Sequence, residues 1–183
     1  SGFVKEKITT GLHQSAQFHN INISMKEIII AMMMWIHTAT GYSIPEIPDI
    51  NYLSTMELRS YAYGCELTPI PSQNIELCAA KKDWDLDRAN PIALYNDKNK
   101  TIILNKKFNI ETIHDKSVLF HELVHHVQFE NDIDSNVECM GDLEKEAYNL
   151  QDEWLQETYS VNVWDTIKMN KLFFMIITSC NDY

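Results

Sequence analysis

Apolar residues recur along the chain in blocks, and their spacing predicts a mainly helical protein with one short stretch of strand character. The longest apolar run, Ile28 to Ile36, follows Ser24-Met25-Lys26-Glu27. A Ser with a Glu three residues later forms a capping box that starts a helix. The helix should run from about Met25 to Thr40 and stop at Gly41, which tolerates the left-handed turn of a helix end. Its Met32-Met33-Met34-Trp35 segment is too apolar for a surface helix and predicts central packing. Ser54-Thr55-Met56-Glu57 repeats the capping box and predicts a short helix ending near Gly64. Between these helices, Tyr42 to Ile50 carries Pro45 and Pro48 and reads as a linking loop. Residues 1–20 place Phe3, Val4, Ile8, Leu12, Ala16 and Phe18 weakly on one helical face. Residues 65–90, with Pro69 and Pro71, predict loops and at most a short strand over Ile75 to Leu77.

At Pro91 the period changes. Ile92 to Tyr95 and Thr101 to Leu104 read as two arms of a β-hairpin around the polar turn Asn96 to Lys100. Helical spacing returns in Val118 to Asn131, where Leu119, Phe120, Leu123, Val124 and Val127 fall on one side and Asp115 stands where a cap belongs. After a polar loop, Asp132 to Gly141, a long helix from about Asp142 to Thr158 carries the stripe Leu143, Ala147, Leu150 and Trp154. A last helix over about Val163 to Thr178 is expected to pack Leu172 to Ile177 on the core. The fold class is therefore α+β, mainly helical, with a small hairpin or sheet. One domain spans 1–183: a helical part (1–64), a hairpin (91–108), two site helices (115–159) and a C-terminal helix (163–178).

Apolar residues make up 45% of the chain and charged residues 22%, which is globular rather than disordered. The net charge of -11 argues against binding to nucleic acid or an anionic membrane through a basic patch; it reads first as a solvated acidic surface and second as a surface suited to neutral or basic peptides. No apolar run approaches the roughly 20 residues of a membrane span. Cys65, Cys78, Cys139 and Cys180 show no C-x-x-C spacing, so a structural zinc cluster is not expected; two disulfides and buried free thiols both remain open. The chain begins Ser1-Gly2 rather than with Met, the mark of a trimmed leader or a cloning remnant, and a periplasmic or secreted location after leader removal is carried as an expectation.

The chemistry concentrates in His121, Glu122 and His125, the pattern H-E-x-x-H. Helical residues four apart stack on one face, so both imidazoles can point to one divalent metal, zinc being the first candidate. Glu122 lies about 100° around the helix from His121, beside the metal without having to ligate it, where a general base for metal-activated water belongs. His126 points about 100° away from His125 and is expected outside the cluster. His13, His19 and His37 read as surface, capping or structural residues. A third ligand should come from the following helix, and Glu144, Glu146 and Glu153 compete. Glu144 and Glu146 lie 19 and 21 residues beyond His125. Helical phase does not separate them, since each sits about 80° from the centre of the apolar stripe.

Here the chain resembles the glutamate-ligand zincins, or gluzincins. Within that group it is similar to small bacterial proteins that pair an H-E-L-V-H-H helix with a later Cys and a Glu-Ala-Tyr helix, matched by His121 to His126, Cys139 and Glu146 to Tyr148 over about residues 90 to 160. The resemblance implies a zincin-like fold, with Zn2+ held by His121, His125 and Glu146 and Glu122 as catalytic base of a peptidase acting on peptide or protein substrates. In thermolysin-like members an Asp four residues after the ligand Glu supports a histidine. Leu150 stands there, leaving Asn149 or Asp152 to serve. Tyr148, Tyr95 and His114 are candidates to stabilise an oxyanion. The alternatives are a metal-binding module that recognises a partner with little or no catalysis, and a hydrolase of non-peptide amides.

Overall fold

A computed structural model of the chain describes residues 24–62 and 91–180. The expectations for residues 1–20, for the loops over 65–90 and for Cys65 and Cys78 lie outside the described residues. Helix α1, Met25–Thr40, has both halves of the capping box, Ser24 accepting from the Glu27 amide and Glu27 from the Ser24 amide. It ends at Gly41, φ 78°, whose N–H reaches the His37 carbonyl. The central-packing expectation holds for one face only. Ile29, Met32, Met33 and Ile36 are buried, whereas Met34 is 55% exposed because it falls on the opposite side of the turn.

The expected loop from Tyr42 to Ile50 is cut short by a strand, β1, Asp49–Leu53. Helix α2, Thr55–Ala62, follows, and strands β2, Ala93–Asn96, and β3, Thr101–Asn105, form the expected hairpin. The sheet order is β1-β3-β2, with β1 parallel to β3 (Ile50 opposite Ile102, Tyr52 opposite Leu104) and β2 antiparallel to it. Strand β3 is buried along its whole length, and among the described residues no strand pairs with the outer edge of β2.

Helix α3, Ile113–Glu130, begins earlier than expected. Thr112, not Asp115, is the cap: its hydroxyl accepts from the Asp115 amide, while the Asp115 carboxylate turns back to the Asn109 amide. A short 3-10 turn, Ile133–Asn136, leads to α4, Met140–Tyr159. Helices α1, α3 and α4 close on Phe120, which stacks on Trp154 at 4.7 Å and meets Trp35 edge-on at 5.4 Å. The whole is a mainly helical α+β fold, and no described helix is long and apolar enough to cross a membrane.

The single C-terminal helix expected over Val163 to Thr178 is in fact two, α5, Val163–Thr166, and α6, Lys171–Ile177. The break falls where Lys168 takes φ 53° and Asn170 accepts from the Leu172 amide as a new cap. Nor does α6 bury its apolar residues as expected: Leu172, Phe173, Met175 and Ile176 are 64, 49, 65 and 52% exposed. So short a helix turns one anchor inward, Phe174, edge-on to Tyr148 and Trp164. A disulfide between Cys139 and Cys180 secures its far end. Gly141 lets the two segments meet, since a Cβ there would stand 2.9 Å from the Ser179 carbonyl oxygen. The cross-link spans 41 residues, a loop length worth about 4 kcal/mol in unfolded-chain entropy. Denaturant unfolding with and without reductant should show a loss of that order.

Candidate metal centre

Helix α3 sets His121 and His125 one turn apart with their Nε2 atoms 3.1 Å from each other, both rings buried. From α4, Glu144 places Oε2 3.3 Å from His121 Nε2 and Oε1 3.4 Å from His125 Nε2. Ligand atoms held about 2.0–2.1 Å from a tetrahedral zinc stand about 3.3–3.4 Å apart. The donor set and its spacing therefore fit such an ion, and one tetrahedral position is left over.

The third member of the cluster is Glu144, not the expected Glu146. The two flank the buried stripe of α4 at similar angles but on opposite sides, so only packing decides which one faces the histidines. Glu144 shares its flank with Tyr148 and Gln151, which line the same cleft. Glu146 turns the other way, to the Tyr42 hydroxyl at 2.8 Å and the Gln128 side-chain amide at 2.8 Å.

Glu122 lies beside the pair, buried, with Oε2 accepting from the Tyr95 amide of β2 at 2.8 Å. Burial opposes charge on both partners of the cluster, but their mutual contact prevails. The hydrogen bond and charge of Glu144 hold the His125 ring above its ordinary value, and the hydrogen bonds of His121 and His125 hold Glu144 well below the carboxylate range. Tyr148 packs on the His121 ring at 4.2 Å between centroids. Burial, with the charges of Glu144 and Glu122, raises its phenol and keeps it protonated. Burial, with the charges of Glu130 and Asp97, likewise pushes Tyr95 up to about 12.

The cluster opens into a cleft of about 670 Å³ bounded by β2 (Leu94, Tyr95) and by Val118, Tyr148 and Ile167. Among the described residues its charged lining outside the cluster is acidic, Asp97 and Asp134, with no Lys or Arg. His121, Glu122 and His125 thus come together as expected, and Tyr148 and Tyr95 border the same space. His114 does not: it bonds Asp115 at the start of α3. His126 stays outside the cluster, its ring bonded to the Glu46 carbonyl oxygen and the Tyr95 hydroxyl, and burial lowers its pKa. Neither residue suggested as a histidine support serves. Asn149 is exposed, and Asp152 accepts from the Val163 amide. The support is Gln128, one turn after His125, whose Oε1 lies 2.9 Å from His125 Nδ1. Its i+3 spacing on α3 was a usable signal.

A mainly helical α+β domain with a two-histidine, one-carboxylate cluster beside a sheet edge is thereby defined. Residues 22–181 match the model of the family described as Domain of unknown function (DUF6647), and the chain belongs to that family. No curated protein and no solved structure matches the chain.

Proposed function

We propose that the protein is a zinc-dependent peptidase, with His121, His125 and Glu144 as metal ligands and Glu122 as general base. The observation that carries this reading is the triangle of two Nε2 atoms and the Glu144 carboxylate, 3.1 to 3.4 Å on its edges, with a buried carboxylate beside it at an open cleft. Two imidazoles and one carboxylate with a free position suit catalytic zinc. Bound there, zinc supplies Lewis acidity and a water of lowered pKa.

The chain's own groups provide the rest. Glu122 Oε2 is tied to the Tyr95 amide, which leaves Oε1 to take a proton from the attacking water and return it to the leaving amine. The protonated Tyr148 hydroxyl is the donor for the oxygen of the scissile carbonyl as it gains charge. Strand β2 offers a binding edge. The Ile92 carbonyl accepts from the Asn105 amide, so by alternation Leu94 and Asn96 bond to β3 while Ala93 turns both main-chain groups and Tyr95 its carbonyl outward, the Tyr95 N–H being held by Glu122. An extended peptide can pair there as an added strand.

The test is metal analysis of the purified protein joined to a broad peptide-cleavage screen with and without chelator. About one zinc per chain is expected, with cleavage lost to chelator and restored by zinc. The acidic lining favours peptides with neutral or basic residues near the cut over their Asp or Glu counterparts. Absence of divalent metal, or cleavage indifferent to chelator, overturns the reading.

Zinc uptake should also depend on pH with a definite sign. In the zinc-free protein the raised His125 ring contributes stability below its ordinary 6.5, lost as pH rises through the raised value. The depressed Glu144 carboxyl contributes above its ordinary 4.5, lost as pH falls through the lowered one. Their ion pair is therefore complete between those ordinary values, and zinc must displace its proton. The rise in Tm produced by saturating zinc should be larger at about pH 8 than at about pH 6.

The exposed apolar face of α6 favours a second reading, a metal-binding module that recognises a partner with little catalysis. A Glu122→Gln variant that loses nothing in a partner-binding assay, from a protein inert in the peptide screen, would select it.

A further inference from the structure

We propose that Gln128, pinned by Glu146, is a positioning residue that fixes which nitrogen of His125 faces the ligand cluster; it rests on the metal-site reading above. Gln128 is fully buried, one turn beyond His125 on α3. Its Nε2 is 2.8 Å from Glu146 Oε2 and 3.1 Å from the Leu143 carbonyl oxygen. A carboxylate and a main-chain carbonyl only accept hydrogen bonds, so both must face the NH2 group and the amide has one orientation. The Gln128 oxygen then faces His125 Nδ1 at 2.9 Å, and an oxygen there requires Nδ1 to carry the proton. In the neutral ring Nε2 is left with the lone pair, aimed at His121 Nε2 and Glu144.

The device reaches further. The second oxygen of Glu146 accepts from the Tyr42 hydroxyl at 2.8 Å. The Tyr42 carbonyl lies 2.6 Å from His37 Nδ1, and Ser43 exchanges main-chain bonds with the Asn131 side chain. The segment after α1 is thus stitched to both site helices through the residue that steadies Gln128. His121 has no such arrangement: its Nδ1 is buried with no hydrogen-bond partner among the described residues. One histidine of the pair is preset and the other is not. Glu146 serves the metal through an intermediary, occupying the role for which a direct carboxylate–histidine contact is the commoner solution.

The experiment is ring 15N NMR of the zinc-free protein where the imidazoles are neutral, alongside zinc titration. His125 should show a protonated Nδ1 and a bare Nε2. Gln128→Met should mix the tautomers and weaken zinc about 10–100-fold. Gln128→Glu alone should do as badly, because two carboxylates then meet with no donor between them. The double variant Gln128→Glu/Glu146→Gln puts a donor back between the two side chains, although the Leu143 carbonyl then faces a carboxylate, and should bind zinc measurably more tightly than Gln128→Glu alone. A purely structural role would give no such recovery. Protonated Nε2 on His125 in the parent protein, or a folded Gln128→Met variant with parent tautomer and affinity, overturns the proposal. The tautomer is read without zinc and without turnover, so a protein that takes up no metal sinks the peptidase reading and still decides this one. A Gln128→Met variant that fails to fold leaves the parent spectrum and the double variant to decide it.

Discussion

Glu122→Gln should take up zinc like the parent protein and cleave its best peptide about 10²–10⁴-fold more slowly. The change is nearly isosteric. The Glu122 Oε2 contact to the Tyr95 amide, 2.8 Å, needs only an acceptor, which the amide oxygen of the variant supplies. The join between α3 and β2 is therefore kept, and with it the edge on which a peptide would lie. What is lost is the ability to accept a proton from water and pass it to the amine. The loss should fall on kcat with little change in KM, because substrate binding draws on the cleft walls rather than on this oxygen. Zinc stoichiometry and steady-state kinetics on one preparation check both halves. Unchanged turnover would remove Glu122 from the chemistry, and loss of zinc would make it a ligand.

What the chain disclosed in advance was local, and what it withheld depended on distant partners. The capping box of α1, its stop at Gly41, the hairpin and the H-E-x-x-H helix are each written within a few residues, and each formed, the last with its cap at Thr112, three residues before the expected Asp115. Strand β1 was hidden because Asp49–Leu53 follows Pro48, is short, and is stabilised by β3, some fifty residues on. The last helix looked continuous because Leu172 to Ile177 is apolar throughout, but apolarity does not distinguish a buried face from an exposed one. Asn170 preferred to cap a new helix. The pairing of Cys139 with Cys180 is one of several that four cysteines allow, and it follows from α6 folding back on the first turn of α4.

The third member of the cluster is where the two kinds of information meet, and it yields the second large effect. Glu144→Gln should leave the dialysed protein with little zinc, while Glu146→Gln keeps close to one equivalent. Flank, rather than spacing from His125, is the reason. Both glutamates are carboxylates at similar angles from the α4 stripe, and only Glu144 lies within 3.4 Å of both Nε2 atoms. Removing its charge takes away a ligand and also the partner that raises His125, so in the zinc-free variant that ring should titrate lower than in the parent. Glu146→Gln acts at one remove. It weakens the hold on Gln128 and should cost no more than the roughly 10–100-fold in affinity that follows loss of a supporting partner. Metal analysis after dialysis against a weak chelator separates the two, since ligand loss empties the site under conditions where a tenfold weakening does not. Were Glu146→Gln the variant that came out empty, the carboxylate facing Tyr42 would have to swing across the α4 stripe to bind. The assignment of Glu144, and the tautomer argument built on Gln128, would fall together.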